Sequence, residues 1–143
     1  MEWPDIEVIA DIEKDLFTDD PWTQEMFWSE LAQAGISREL VCAWAERGIV
    51  GYASLRYVGS EGDVNTVAVA HNYQGQGIGR TLMNWLYETA QYHGVTDLFL
   101  EVRSDNSRAL QMYTKDQFEQ IDLRKNYYGT DVDALIMRKR LTA

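Results

Sequence analysis

The stretch NTVAVAHNYQGQGIGR, residues 65–80, decides the fold that we predict for this chain. Its first half, centred on residues 67–69, predicts a buried strand because β-branched residues favour strands. Three glycines follow at alternate positions: Gly75, Gly77 and Gly79. An apolar repeat at helical spacing begins immediately, at Ile78. The stretch is therefore predicted to form a strand, a glycine loop and the start of a helix.

This order of elements predicts a cradle for a phosphate group, with a diphosphate as the preferred ligand. Backbone N–H groups at a helix start point toward a bound anion, and the helix dipole favours negative charge there. Glycines let the backbone approach a phosphate closely because no Cβ intervenes. A Walker loop is excluded because no lysine follows the glycines, and their spacing does not match the dinucleotide fingerprint. The alternative is a glycine-rich turn that only caps the helix.

The size and composition of the chain are those of an ordinary globular protein. Its 143 residues suit one domain, predicted over residues 1–143. Cys42 is the one cysteine and forms no metal-ligand pattern with His71 and His93, so we expect neither a disulfide nor a metal. The sequence contains no apolar run long enough to span a membrane and does not open with a signal sequence, which predicts a cytoplasmic protein.

The charge of the chain is strongly negative. The formal net charge is −10, from 13 basic and 23 acidic side chains. This balance argues against a nucleic-acid partner, because Lys and Arg drive binding to phosphate backbones. It favours a cationic partner through electrostatic steering. The alternative is that an acidic surface only keeps the protein soluble.

Periodicity and turn residues divide the rest of the chain into short elements. Helices are predicted over residues 4–17, 24–34 with Thr23 as the cap, 78–94 and 107–116. Strands are predicted over residues 39–45, 49–58, 63–69, 97–103, 118–123 and 132–137, with a loop at 126–130. A parallel strand–helix–strand crossover flanked by hairpins predicts an α/β (α+β) fold. Its sheet is mixed and mostly antiparallel, with helices on both faces.

Glu101 is the first candidate for chemistry. It lies on the strand at 97–103, whose alternate apolar residues predict that Glu101 points to the opposite face. This strand is predicted to be central and covered on both faces, where a carboxylate is costly unless paired, hydrated or neutral. Such a group often has a raised pKa, which suits a general base. The alternative is a structural ion pair with Arg103 or Arg56.

Tyr113 and Asn106 are further candidates on the short helix that follows. The hydroxyl of Tyr113 can donate a proton to a leaving group, although a tyrosine on an apolar helix face is also an ordinary core residue. Asn106 stands at the start of the helix, where it is a natural N-cap. A hydrogen bond from Asn106 to a ligand is the other interpretation.

Several of these segments resemble one enzyme family. The pattern Q-x-x-G-x-G from Gln74, with a strand before it, resembles the pyrophosphate loop of the GNAT acyl-CoA N-acyltransferases. The segments LEVRSDNSRALQMY, RKNYYG and FTDDPWTQEMFWSEL resemble the RimI branch of that family, the ribosomal-protein alanine N-acetyltransferases. Together these matches extend over most of the chain. The resemblance implies a GNAT fold and acetyl-CoA as co-substrate.

The resemblance also implies a role for individual residues. Glu101 matches the catalytic base of the branch, and Tyr113 matches the acid that protonates the departing CoA thiolate. The positions that match acetyl-CoA contacts are Val67, Ala68, Val69, Gly75, Gln76, Gly77, Ile78, Gly79, Arg80 and Asn106. Three aromatic residues would lie on the side where the peptide enters: Trp22, Tyr127 and Tyr128.

The implied activity is acetylation of the N-terminal alanine of a small-subunit ribosomal protein by a monomeric cytoplasmic enzyme. Because such N-termini are followed by basic residues, the negative net charge of this chain becomes a candidate feature for recognising the acceptor. The open alternatives are a GNAT enzyme of broader scope, acting on other N-termini, lysines or small amines, and a catalytically idle acyl-CoA-binding module.

The sequence departs from the family pattern at two places. Gln117 stands before Phe118 where the family usually has glycine, so we expect the short helix to end differently and Tyr113 to shift slightly. The family usually opens with a strand, yet only residues 1–3 precede the first predicted helix. Either that strand is vestigial, or the sheet begins with the strand at 39–45.

Overall fold

The computed structural model describes residues 1–18 and 20–141. It contains four α-helices: α1 (Asp5–Leu16), α2 (Gln24–Leu31), α3 (Ile78–Tyr92) and α4 (Ser107–Lys115). Six strands accompany them: β1 (Arg38–Ala45), β2 (Gly48–Val58), β3 (Glu61–Val69), β4 (Asp97–Arg103), β5 (Glu119–Gly129) and β6 (Val132–Arg140). They form one sheet in the order β1-β2-β3-β4-β6-β5, and only the β3–β4 pair is parallel. The predicted mixed, mostly antiparallel sheet with a parallel crossover is confirmed.

Helix α3 makes the crossover between β3 and β4 and packs on one face of the sheet. Its buried side chains recur at helical spacing: Leu82, Met83, Leu86 and Ala90. They share a core with alternate residues of β4, namely Leu98, Leu100 and Val102. Burial of such side chains stabilises the fold by about 1.5–3 kcal/mol each.

Helices α1 and α2 cover only half of the opposite face. Ile6, Ile9 and Phe27 pack there against Tyr52 of β2 and Ala68 of β3. Among the described residues, this second core takes no side chain from β4, β5 or β6. The β4-β6-β5 half of the sheet is therefore left open on this side, and helices cover both faces only over β1 to β3.

Several element boundaries differ from the sequence prediction. Strand β5 runs to Gly129, so most of the predicted loop at 126–130 is strand. The interpretation failed because the β5–β6 ladder contains a large bulge between its pairs Arg124↔Ala134 and Gly129↔Val132. Helix α2 ends at Leu31, and β3 begins earlier than predicted, at Glu61. Within the described residues the sheet begins at β1, and α1 is the first regular element of the chain.

Helix α4 ends in the left-handed turn that glycine usually supplies in the family, so our expectation of a different helix end was wrong. Gln117 adopts the left-handed conformation with φ 72°, which glycine normally supplies. Its N–H donates to the carbonyl of Thr114 at 3.0 Å, and the Phe118 N–H donates to the carbonyl of Tyr113 at 2.9 Å. These two bonds form a Schellman motif, which the buried Phe118 ring completes. The bonds and the burial outweigh the cost of the left-handed residue.

We expect Gln117→Gly to stabilise the protein by about 1 kcal/mol, because glycine adopts the left-handed conformation without steric cost. The same substitution at Gln111, exposed within α4, should destabilise it by about 1 kcal/mol. Urea unfolding of both variants measures the difference. Equal destabilisation by both would contradict the strain assigned to Gln117.

None of the helices in residues 1–18 and 20–141 is long and apolar enough to cross a membrane.

Candidate active site

The site begins where β3 and β4 separate. The two strands pair at only three positions, Glu61↔Asp97, Gly62↔Leu98 and Asp63↔Phe99. Beyond Asp63 both strands continue, β3 to Val69 and β4 to Arg103, without further pairing to each other in the described residues. A wedge therefore opens in the middle of the sheet, lined on both sides by strand backbone that can pair with an extended ligand.

A β-bulge at Asn65 accounts for the separation of the strands. The β2–β3 register gives Ser54↔Thr66 and Leu55↔Val64, which leaves Asn65 as the extra residue. A bulge bends its strand, and this one lies just after the last β3–β4 pair. The Asn65 amide donates to Oε1 of the buried Glu30 on α2 at 2.5 Å, and Arg38 of β1 pairs with Oε2 of the same carboxylate. Sequence reasoning missed Asn65; the only signal was an asparagine inside a predicted strand.

The glycine loop connects β3 to α3, as predicted, and lies at the open end of the wedge. A single 3-10 turn, His71–Tyr73, leads from β3 into the loop. The Gln74 amide then donates to the carbonyl of Val69 at 3.0 Å, which fixes the loop against the strand. Gly75 and Gly77 have φ 80° and 87°, so both need the left-handed freedom of glycine.

The first turn of α3 is free to bind an anion. Gly77 is its N-cap and has no side chain that could accept from the N–H groups that follow. A Cβ built at Gly77 would meet nothing within 4 Å, so the space in front of the helix start is open. Open space, bare N–H groups and the helix dipole are the features that an anion site requires.

Arg108 is a candidate residue that sequence reasoning missed. A Cβ built at Gly75 would lie 3.2 Å from Nη2 of Arg108, so this guanidinium sits beside the glycine loop. It reaches the loop from the first turn of α4. The sequence signal was weak, because a basic residue at a helix start says nothing about which loop lies opposite. Arg108 supplies a positive charge where a phosphate would bind.

Arg80 follows the glycine loop, but its side chain points elsewhere. Its Nη1 donates to Oδ2 of Asp116, at the end of α4, at 2.7 Å. The Tyr87 hydroxyl donates to the same oxygen at 2.5 Å. Burial opposes ionisation of Asp116, but these two hydrogen bonds and the charge of Arg80 outweigh it, and the pKa of Asp116 lies below its usual range. Arg80 therefore joins α3 to α4, and its backbone N–H is what remains for an anion.

Glu101 is exposed, and our expectation of a carboxylate covered on both sides was wrong. The strand is central as predicted, and Leu100 and Val102 beside Glu101 are buried under α3 and α4. The opposite face of β4 belongs to the open half of the sheet, beyond the reach of α1 and α2. Sequence alternation placed Glu101 on the correct face but did not show how far the helices extend.

The arginines that we considered as structural partners of Glu101 have other carboxylates beside them. Arg56 lies 4.0 Å from Asp63, and Nε of Arg103 lies 3.0 Å from Asp105.

Tyr128 contacts Glu101 on the face of β4, β6 and β5 that α1 and α2 leave uncovered, which we call the open face. Burial, the nearby charge of Glu101 and a hydrogen bond to its carboxylate raise the pKa of Tyr128 to about 12. The guanidinium of Arg103 lies over the Tyr128 ring at 5.1 Å, and the exposed Tyr127 packs edge-on against that ring at 5.1 Å. The β5 bulge makes this contact possible, because it lifts residues 125–128 out of the regular ladder.

Tyr113 is largely buried on the other side of the sheet, 7% exposed. Its ring packs edge-on against Phe118 at 5.6 Å. Burial, with a smaller contribution from Asp116, raises the pKa of Tyr113 to about 12. The hydroxyl therefore stays protonated at neutral pH and available as a donor.

The predicted N-cap at Asn106 is confirmed, and Trp22 makes a further local contact. Oδ1 of Asn106 accepts from the Ala109 N–H at 3.2 Å, so Asn106 caps α4. Trp22, just before the Thr23 cap of α2, packs on Phe27 with ring centroids 5.2 Å apart. Trp22 lies in the helical layer of the face that carries Glu101.

Comparison with known proteins assigns this architecture to a class. The sequence model of the acetyltransferase (GNAT) family matches residues 6–118. The chain therefore belongs to the GNAT acetyltransferase family, whose members take the acetyl group from acetyl-CoA. The family resemblance inferred from the glycine loop is confirmed.

Several relatives within this family are named RimI or ribosomal-protein alanine N-acetyltransferase. The N-alpha-acetyltransferase RimI of Mycobacterium tuberculosis is 38% identical over 141 residues, covering 94% of this chain and 86% of that protein. The ribosomal protein bS18-alanine N-acetyltransferase of Escherichia coli is 32% identical over 121 residues, covering 82% of this chain and 79% of that protein. The crystal structure of the ribosomal-protein-S18-alanine N-acetyltransferase from E. coli has a TM-score of 0.88 at 29% identity, covering 100% of this chain and 92% of that chain.

Proposed function

We propose that this protein acetylates the N-terminal α-amine of a protein, with the N-terminal alanine of a small-subunit ribosomal protein as its acceptor. The observation that carries the proposal is the wedge between β3 and β4, with an anion cradle at one end and the exposed Glu101 on its open face. The similarity to the N-alpha-acetyltransferase of M. tuberculosis supports an α-amine as the acceptor group, and the similarity to the bS18-alanine N-acetyltransferase of E. coli supports alanine as the residue.

The site supports direct transfer without a covalent enzyme intermediate. Glu101, directly or through a water, takes a proton from the acceptor ammonium. The free amine then attacks the thioester carbon, a C–N bond forms and the C–S bond breaks. The nitrogen releases its second proton to solvent, from which Tyr113 is reprotonated after its donation to sulfur. Tyr113 donates to the departing sulfur, and much of the rate comes from holding the two substrates in line. The exposed position of Glu101 fits this role, because the acceptor can reach it from solvent.

The donor is assigned to the wedge and the glycine loop. The backbone of Val67, Ala68 and Val69 would pair with the extended arm of acetyl-CoA, as a strand pairs with its neighbour. The N–H groups from Gly77 to Arg80, with the guanidinium of Arg108, would bind its diphosphate. Asn106 is occupied as a cap, so a contact from it to the donor would use its amide NH₂ group.

The distribution of charge fits a basic acceptor peptide. Residues 1–30, which form α1 and α2 beside the open face, are rich in acidic side chains and contain one basic residue, Lys14. Glu7, Asp11 and Glu25 among them are exposed. A field of this sign attracts a cationic segment and speeds its encounter with the site. A ribosomal-protein acceptor implies that the enzyme acts in the cytoplasm. Every residue that we assign to the site belongs to one chain, which fits a monomeric enzyme.

A peptide panel tests the proposed function. Purified protein would be given acetyl-CoA and a short, lysine-free basic peptide that begins with alanine, and CoA release would be measured. Controls are the same peptide blocked at its N-terminus, peptides that begin with other residues, and a small primary amine. We expect turnover that requires a free N-terminus and is fastest with alanine. Turnover of the amine but of no peptide would refute the proposal.

Arg108→Ala should weaken acetyl-CoA binding about tenfold, because a charge-assisted hydrogen bond to phosphate is worth about 1.5–3 kcal/mol. Lys115→Ala, at the far end of the same helix, is the charge-matched control and should bind normally. Calorimetric titration with acetyl-CoA at two salt concentrations measures both effects. Equal affinity of the two variants would remove Arg108 from the donor site.

A further inference from the structure

Glu13 is a buried carboxylate that the proposed chemistry does not use. It lies on α1 and is 3% exposed. Its Oε1 accepts a hydrogen bond from the Tyr52 hydroxyl at 2.6 Å, and its Oε2 accepts from the Trp22 N–H at 3.0 Å. Burial raises the pKa of Glu13, although both hydrogen bonds oppose that shift. A carboxylate held in so unfavourable a place implies a specific task for its two bonds.

The two bonds connect the start of α2 to the strands that border the wedge on the β3 side. Trp22 is the residue at which the chain enters the cap of α2, on the helical layer beside the open face. Tyr52 lies on β2 directly opposite Ala68 of β3, the strand that borders the wedge. Aromatic packing connects the same two residues, because the Phe27 ring packs on Trp22 at 5.2 Å and edge-on against Tyr52 at 5.7 Å.

We propose that Glu13, together with Tyr52, is a positioning residue for the acceptor. This inference rests on the proposed function. Glu13 fixes the backbone of Trp22, and with it the helical side of the acceptor surface, at a set distance from the strand that would hold the donor. Misplacing one substrate relative to the other costs rate even when each still binds. Loss of the Glu13 bonds therefore affects use of the acceptor and leaves acetyl-CoA binding intact.

Three variants separate this role from simple core packing. Glu13→Leu keeps the volume and removes both acceptors. Glu13→Gln keeps both connections, because its carbonyl accepts from the Trp22 N–H while its NH₂ group donates to the Tyr52 oxygen. Tyr52→Phe removes only one hydroxyl. Glu88→Leu, on the exposed side of α3, is the matched control.

The measurements are the KM for the alanine peptide, the KM for acetyl-CoA and hydrogen exchange of the Trp22 amide. Glu13→Leu should raise the peptide KM about tenfold and Tyr52→Phe severalfold, with the acetyl-CoA KM within twofold of wild type. Glu13→Gln should restore the peptide KM, and faster exchange of the Trp22 amide should appear only where the peptide KM rises.

The outcomes distinguish failure of the positioning role of Glu13 from failure of the proposed function. Equal rises in both KM values, or a normal peptide KM in Glu13→Leu, would overturn the positioning role while the proposed function stands. Wild-type protein that turns over no peptide would refute the proposed function, and the positioning role with it.

Discussion

Glu101→Gln is expected to lower the rate of peptide acetylation by about a hundredfold or more, with acetyl-CoA affinity nearly unchanged. The amide keeps the size of the side chain and its contact with Tyr128 but cannot take a proton from the acceptor ammonium. The loss should appear in kcat, because the proton transfer that we propose for Glu101 belongs to the chemical step and no donor contact is assigned to this residue. Steady-state kinetics with calorimetric titration of acetyl-CoA measures both quantities.

Glu61→Gln is the matched control for this experiment. Glu61 is also an exposed carboxylate, but its backbone lies opposite Asp97 in the β3–β4 ladder, at the closed end of the wedge. Its substitution should leave the rate within twofold of wild type. If Glu101→Gln retained full activity at neutral pH, Glu101 would have no part in proton transfer, and another base would have to be sought on the open face.

Gly77→Val is expected to weaken acetyl-CoA binding about a hundredfold. The added side chain would occupy the open space before the first turn of α3, and a β-branched residue resists φ 87°. Loss of one or two hydrogen bonds to a charged phosphate, at about 1.5–3 kcal/mol each, gives a decrease of that size.

The strain at Gly77 needs a control, and Gly94 at the end of α3 supplies it. Gly94 has φ 79°, and a Cβ there would also meet nothing within 4 Å. Gly94→Val should therefore lose a similar amount of stability in urea unfolding while binding acetyl-CoA normally. If both variants lost the same fraction of their affinity, the effect would come from strain, and the anion cradle at Gly77 would be refuted.

Much of this molecule follows from local sequence. The run from Val67 through the glycines to α3 predicted a strand, an anion cradle and a helix, because glycine conformation and helix polarity are properties of a few consecutive residues. Capping residues were equally local, and Thr23 and Asn106 bond where their positions predicted. The alternation along β4 placed Glu101 opposite its buried neighbours for the same reason.

Contacts between distant segments were not predictable in this way. Nothing local indicates that Arg108 lies beside Gly75, that Arg80 is bonded to Asp116, or that Tyr128 reaches Glu101. The first contact depends on how α4 packs beside the loop, and the last on a bulge in β5. A bulge is set by how two strands fit each other and is not fixed by the propensity of either strand alone.

The sequence by itself determined the order of strands and helices, the glycine loop and the face on which Glu101 lies, because periodicity and backbone conformation act over a few residues. The tertiary structure decided where β3 leaves β4, how far α1 and α2 extend, and that Glu101 is exposed. It also decided that Gln117 adopts a glycine conformation, because the bonds to Tyr113 and Thr114 and the burial of Phe118 outweigh a local preference. These outcomes depend on packing between elements that are distant along the chain, and that packing selects among conformations that local sequence leaves open.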